Sequence, residues 1–394
     1  MAFSTVPNLD LHHNCFFPNI GGTLCDQLTN CYQQLAGYAD SEGYTKQSIL
    51  KQTIFISVSD NSEYYQSKQN LLICAKEFFE ELPPTSILAQ SPANTSLVLE
   101  VVMVAELQSN EIFHRYNDES SWIIFQRGET KILVAAGLCN TIEQSNILQQ
   151  SNEVFRQLHK ILTEEKMEFS DIVRQWNYIE QITKNGHYNS QHYQIFNDVR
   201  SKFYQLSNFK NGFPAATGIG IDCGGIIIDI IAVKFNDDSS VISVKSPVQL
   251  DAYKYSREVL AENNSIGELS QTTPKFERAK LLNTPENKML FISGTAAISG
   301  QASTNPLSVE HQTEMTIQNM LSLISVENIE KHGIENVDKT SFNYIRVYVK
   351  YKKDMKRVEE VCLKYFFQIP IVYVLADICR PELLVEIEAQ GRIN

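Results

Sequence analysis

An acidic side chain in the middle of an apolar strand, downstream of a proline, occurs three times in this chain. Pro84 stands sixteen positions before Glu100, Pro214 fifteen before Asp229, and Pro370 sixteen before Glu386. An apolar strand does not take up a carboxylate without cost, because a buried charge must be paired, neutralised or put to use. Three acids at matching places therefore point to one architecture used three times. Either all three share a structural hydrogen bond, or at least one of them does chemistry.

The segments around the acids follow a common order: an amphipathic helix, a strand, a second helix rich in aromatics, the proline, then the apolar strand. In the first unit the helices are expected near Thr23–Ala39 and Tyr65–Glu81, with strands near Ile49–Val58 and Ser96–Ala105. The second unit opens on a hairpin-like stretch, Trp122–Leu138, turned at Arg127-Gly128. Helices near Asn146–Leu162 and Gln191–Leu206 follow, with strands near Ile172–Ile182 and Ile226–Val233. The third has strands near Lys288–Gly300, Tyr344–Tyr351 and Leu383–Ala389, and helices near Glu310–Ser325 and Lys356–Phe367. The units are read as residues 1–115, 116–238 and 239–394. Asp251–Asn283 is rich in Glu, Asn, Ser and Thr, has little apolar periodicity, and reads as a long connection.

With 394 residues and 43% hydrophobic content, the chain can bury two or three ordinary cores. The net charge of −12 and the lack of any Lys/Arg run argue against nucleic acid as a partner. No segment has the length of a membrane span, and His12, His13 and Asn14 stand where a signal peptide would need an apolar core. Eight cysteines without a C-x-x-C pair read as free thiols in a reducing cytoplasm, and no Cys/His spacing suggests a metal site. No cofactor is expected.

Each unit resembles the RidA/YjgF family, small αβ proteins that assemble as trimers around a closed sheet barrel with ligand pockets between subunits. Three units in one chain imply an α+β pseudo-trimer that is a monomer in solution. RidA-type imine deaminases carry a P-A-R arginine; the matching positions here are Ser86, Ala216 and Val372, none of them basic. A sharper resemblance is to the chorismatases. It is carried by RQWNYIEQI (174–182), FNDVRSKFY (196–204), FPAATGIGID (213–222), SPVQLDAYKYSRE (246–258), FISGTAAISGQAS (291–303) and ADICRPELLVEIE (376–388). Two features depart from that family: the long Asp251–Asn283 connection, and Gln301 where a histidine is expected.

The resemblance implies cleavage of the enol-pyruvyl ether of chorismate to pyruvate and a ring product, 3-hydroxybenzoate being favoured over a dihydroxycyclohexadiene carboxylate. Glu386 matches the family's general acid. Protonating the methylene carbon of an enol ether needs a carboxylic acid that stays protonated near neutral pH, and apolar surroundings raise a carboxyl pKa. The substrate is a small dicarboxylate, so cations and hydroxyl or amide donors are needed. Arg200, Arg257 and Arg380 are candidates for its carboxylates, each with a plain surface or structural salt-bridge role as the alternative. Tyr178 and Thr217 are candidate donors or pocket walls, Gly294 a point of close backbone approach, and Cys379 a wall that steers the product. The competing reading is a non-catalytic RidA-type protein that binds a small metabolite.

Overall fold

The computed structural model describes residues 10–108, 110–128, 130–140, 145–186, 190–235, 241–256, 272–284, 287–303 and 308–394. The first unit contains β1 (Leu11–Phe16), α1 (Leu24–Glu42), β2 (Ile49–Ile56), α2 (Asn61–Phe78), β3 (Thr85–Ala89) and β4 (Leu97–Val104). The second contains β5 (Ile112–Tyr116), which pairs into the second sheet and so starts that unit before residue 116, then β6 (Ser121–Arg127), β7 (Thr130–Cys139), α3 (Ile147–Glu164), β8 (Ile172–Glu180), α4 (His192–Tyr204), β9 (Ala215–Ile221) and β10 (Ile226–Lys234). The third opens with β11 (Val241–Val244), β12 (Ala279–Asn283), β13 (Lys288–Ala296) and the small hairpin β14 (Ile298–Ser299) and β15 (Ala302–Ser303). It continues with α5 (Val309–Leu323), α6 (Val326–Glu330), β16 (Thr340–Val349), α7 (Met355–Tyr365), β17 (Ile371–Leu375) and β18 (Val385–Ile393).

Local signals place these elements. Thr23 and Asp26 form a capping box at the start of α1, and Asn146 with Gln149 does the same for α3. Asp60 caps α2 and draws its start upstream of the expected Tyr65. On α3 the stripe Phe155, Leu158 and Leu162 is buried as its 3.6-residue period requires.

The three main sheets share one strand order: β1-β4-β2-β3, β7-β10-β8-β9 and β13-β18-β16-β17. In each, the acid-bearing strand is central and antiparallel to both neighbours, and the strand after the proline lies parallel at the edge. The helix between the parallel strands is the crossover such a pair needs. The second and third sheets add outer strands, β5-β6 and β11-β12. Two expectations are corrected here. The short parallel strands β3, β9 and β17 were not resolved from the proline segments, and β12 is a sheet strand inside the stretch read as the connection Asp251–Asn283.

The sheets meet edge to edge in a cycle. On the β3–β7 side, a Cβ on Gly137 would lie 2.2 Å from the Thr85 carbonyl oxygen, so only glycine allows that approach. Between β9 and β13, Ala216 N–H donates to Ser293 Oγ (2.9 Å) and Gly294 N–H donates to Thr217 Oγ1 (3.0 Å). Cys15 of β1 faces the Ile371 carbonyl of β17. With helices outside and the barrel inside, β2, β4 and β8 are buried along nearly their whole length, which is why they read as near-continuous apolar runs.

Three charge pairs close the barrel from within, each crossing a unit boundary. Lys51 of β2 meets Asp229 of β10 at 2.7 Å, Arg174 of β8 meets Glu388 of β18 at 2.7 Å, and Arg346 of β16 meets Glu100 of β4 at 2.6 Å. Arg346 also reaches Glu388 at 3.1 Å. The acids take further donors: Asp229 accepts from Ser86 Oγ (2.5 Å) and Gly137 N–H (2.9 Å), Glu388 from Thr217 Oγ1 and Trp176 Nε1 (2.8 Å), and Glu100 from Tyr344 Oη. This corrects the alignment of the three acids. Trp176 stands opposite Asp229, Thr53 opposite Glu100, and Arg346 opposite Glu388. Glu388, not Glu386, is therefore the third ion-paired acid. Equal spacing from the prolines misleads because the connections into the central strands differ: 90–96, 222–225 and 376–384.

No helix among the described residues is long and apolar enough to cross a membrane. Removing one partner of a buried pair strands the other charge, at a cost of about 3–5 kcal/mol. Lys51→Met should lower the urea midpoint accordingly, and Lys51→Met with Asp229→Asn should recover most of the loss. A double variant as unstable as the single one would mean that the barrel depends on the charges themselves.

Candidate active site

A cavity of about 790 Å³ opens where the second and third units meet, a size suited to a small ligand. One wall comes from the start of α4 (Tyr193, Gln194, Asn197) and from Ala216 and Gly218 of β9. The other comes from Gly294 and Ala296 of β13, the 376–384 connection, and Glu386 of β18. Pro274, Phe276 and Arg278 complete it along the approach to β12.

Glu386 is the cavity's acid. It is 5% exposed, and no ion pair or hydrogen bond of its carboxyl occurs among the described residues. Burial, and secondly the adjacent charge of Glu388, push its pKa up to about 8, against the opposing pull of Arg174 and Arg278. Glu388, two residues on and on the same strand face, behaves oppositely. Burial alone would raise it, but Arg346 and Arg174, with hydrogen bonds from Thr217 and Trp176, hold it below the ordinary carboxylate range. One strand thus presents one carboxyl toward the cavity and one toward the barrel, in environments that shift two like groups in opposite directions.

Gly294 makes room for the acid: a Cβ there would stand 2.0 Å from Glu386 Oε1 and 3.1 Å from Thr217 Cγ2. Gly218 does the same for the Tyr193 ring, which would lie 2.7 Å from an added Cβ. Thr217 is itself buried. It accepts from Arg174 Nη2 (2.8 Å) and from Gly294 N–H, and donates to Glu388, so it ties the ion pair to the strand that flanks the acid. Cys379 lines the cavity, and burial with the nearby Glu386 pushes its thiol up to about 12. That leaves it a neutral wall rather than a nucleophile.

Two arginines line the cavity. Arg380 donates from Nη1 to the Gln301 carbonyl (2.9 Å) and Ser303 Oγ (3.0 Å), and lies 5.3 Å from the Tyr255 ring centroid. Arg278 was missed by sequence reasoning because it sits in the stretch taken for a connection. Its signal was the alternation of charged and apolar residues from Arg278 to Leu281. It is buried, donates to the Leu250 carbonyl (2.6 Å) and Tyr255 Oη (2.6 Å), and lines the cavity. Gln301 does not line the cavity but pins Ser256 through both ends of its amide, at 2.9 and 3.0 Å.

The remaining sequence candidates are spread more widely. Arg200 is buried behind the cavity wall, where it donates to Asn197 Oδ1 (2.5 Å), and Asn197 is the residue that faces the space. Tyr178 is buried in the barrel, and its hydroxyl accepts from Arg346 Nη1 (3.0 Å). Arg257 lies outside the described residues.

Among the described residues, the other two unit boundaries present no matching acid. Two positions before Glu100 and Asp229 stand Val98 and Ile227, both buried and apolar. At the first boundary Tyr64 of α2 fills the space, its hydroxyl donating to the Ile87 carbonyl (2.8 Å) and its ring lying against Gly224.

The family description "Chorismatase FkbO/Hyg5-like, N-terminal" matches residues 114–232. A 3-hydroxybenzoate synthase of Streptomyces hygroscopicus is 29% identical over 57% of this chain and 64% of its own length. A chorismatase of Streptomyces rapamycinicus is 29% identical over 56% of this chain, also spanning 64% of that protein. These comparisons support the chorismatase family for this chain. Its matches thus span slightly less than two thirds of these relatives. A chorismatase crystal structure superposes with a TM-score of 0.70 at 18% identity, covering 98% of this chain and 99% of that one, which shows a common fold. The cavity between the second and third units falls partly inside the matched segment and partly beyond it.

Because the folded pKa of Glu386 lies above its ordinary value of 4.5, its contribution to stability is full below pH 4.5 and is lost as pH rises toward about 8. Glu386→Gln removes that loss. Urea unfolding at a series of pH values should show the variant gaining on the natural protein across this window, by up to roughly 4 kcal/mol. A pH-independent difference would contradict the raised pKa.

Proposed function

We propose that this chain is a chorismatase that cleaves the enol-pyruvyl ether of chorismate, with Glu386 as general acid. The observation that carries the reading is the buried carboxyl of Glu386, without an ion pair or hydrogen bond among the described residues, facing a cavity that also holds Arg278 and Arg380; burial pushes its pKa up to about 8. An acid with a pKa near the working pH is matched to proton transfer onto carbon. The arginines suit a dicarboxylate, since a guanidinium fork meets a carboxylate bidentately.

In this mechanism Glu386 delivers its proton to the terminal methylene of the enol ether, forming the methyl group of the future pyruvate. Positive charge develops on the ether carbon as an oxocarbenium ion, and the Glu386 carboxylate left behind stands next to it. Water adds to that carbon and gives up a proton to the Glu386 carboxylate; collapse of the resulting hemiketal breaks the bond to the ring oxygen, which takes up the hemiketal proton, and frees pyruvate and a ring diol, and loss of one water from that diol gives the hydroxybenzoate. Arg278 and Arg380 hold the substrate carboxylates, while Tyr193, Asn197 and Gln194 contact the ring hydroxyl side. Positioning of this kind supplies much of the rate, with acid catalysis contributing about 10²–10⁴-fold.

The ring product we favour is 3-hydroxybenzoate. This rests on the thiol wall of Cys379 beside Glu386 and on the relative named for that product. The chain works as a monomer, because its cavity is completed within one polypeptide, and in the cytoplasm, consistent with eight unpaired cysteines.

Incubation with chorismate should release pyruvate, and Glu386→Gln should lower the rate by at least about 10²-fold while leaving the fold intact. Chromatography of the ring product assigns the outcome of ether cleavage. Well-folded protein that binds chorismate without releasing pyruvate would establish a metabolite-binding protein instead.

A further inference from the structure

Glu386 is not isolated from the ion pairs that hold the barrel. Glu388 follows it by two residues on β18, and each Glu388 oxygen is held: Oε1 by Trp176 Nε1 at 2.8 Å and Arg346 at 3.1 Å, Oε2 by Arg174 at 2.7 Å and by Thr217. Arg346 is in turn clamped by Glu100 of the first unit, by Nη2 at 2.6 Å to each of its oxygens. A side chain fixed at both oxygens, with its cations fixed as well, has no freedom to turn or to lose its charge. Thr217 links this cluster to Gly294, the residue whose missing side chain leaves the space that Glu386 occupies.

We propose that Glu388 is a positioning residue for the general acid: an immobile anion, pinned by Arg174 and Arg346, that keeps the neighbouring Glu386 in its protonated form and so keeps the site loaded for proton delivery. This rests on the reading of Glu386 as the acid. It gives the otherwise remote first unit a share in turnover, since Glu100 holds Arg346 and Arg346 holds Glu388.

The charged and titratable groups that face Glu386 come from several elements. They are Glu388 on its own strand, Arg174 on β8, Arg278 ahead of β12, Tyr193 on α4, and Cys379 with Arg380 and Glu382 on the 376–384 connection. Around Glu388 stand Arg346, Tyr178 and Tyr348, with His13 across the barrel. Of the charges acting on Glu386, that of Glu388 is the strongest, and it alone opposes ionisation among the leading ones. Neutralising it therefore favours the ionised, catalytically spent form at lower pH.

The test is the pH dependence of kcat/KM for pyruvate release in Glu388→Gln. The alkaline limb, set in the natural protein by Glu386 near about 8, should move down by about one unit, with turnover largely retained on its acid side. Glu388→Asp keeps the charge and should keep the limb in place. If Glu388→Gln does not fold, Glu388→Gln with Arg174→Gln removes the anion with one of its cations. The limb should still move down, by less, because the Glu388 charge outweighs that of Arg174 at Glu386. A folded Glu388→Gln, or double variant, whose limb does not move overturns the proposal, as does a limb that moves equally in Glu388→Asp. Glu386→Gln separates the two claims: if it retains turnover, the general-acid reading fails; if it is inactive while the Glu388 variants leave the limb in place, only the positioning role fails.

Discussion

Three charge pairs buried inside the barrel set the terms for the rest of this molecule. Lys51–Asp229, Arg174–Glu388 and Arg346–Glu100 each join one unit to the next, so the units are held in a cycle by contacts that none can make alone. Buried pairs are not a cheap source of stability, because desolvation offsets much of the attraction. Their effect here is specificity of arrangement: a slipped register on any central strand would leave an ion without its partner. Once the central strands are fixed in this way, the residue two positions before each paired acid is aimed at a unit boundary.

At two boundaries that residue is apolar, Val98 or Ile227, and at the boundary between the first and second units, where Ile227 stands, Tyr64 occupies the space. At the boundary between the second and third units it is Glu386, with Gly294 and Gly218 leaving room and the longer 376–384 connection forming a wall. A threefold scaffold thus supports one acid-bearing site. The asymmetry comes from a few side chains and one connection length, and the shared strand order is untouched.

Much of the fold was legible in the sequence. The repeated helix–strand–helix–proline–strand order gives three units because each element has a clear period, and buried central strands such as IIIDIIAV cannot be mistaken for surface loops. What spacing could not supply was the register between units. Counting from the prolines set Glu386 beside Glu100 and Asp229, whereas hydrogen-bonding partners set Glu388 there. The short strands after the prolines were missed because five to seven residues carry too little periodicity to be distinguished from a loop. Arg278 was missed for a related reason, as its strand is attached to a polar stretch that dominates the local composition. Arg200 was singled out for its charge, but charge does not reveal that Asn197 stands between it and the cavity.

The account turns on one claim: two carboxyls two residues apart on one strand are held in opposite protonation states, Glu386 as the acid and Glu388 as the anion. Infrared titration of protein carrying ¹³C-carboxyl glutamate tests it directly, with Glu386→Gln as the difference reference. A protonated carboxyl band that persists through neutral pH, titrates near about 8 and is absent from the variant is the predicted result. A natural protein in which every glutamate is ionised well below neutral pH, or in which the band survives in Glu386→Gln, would contradict it.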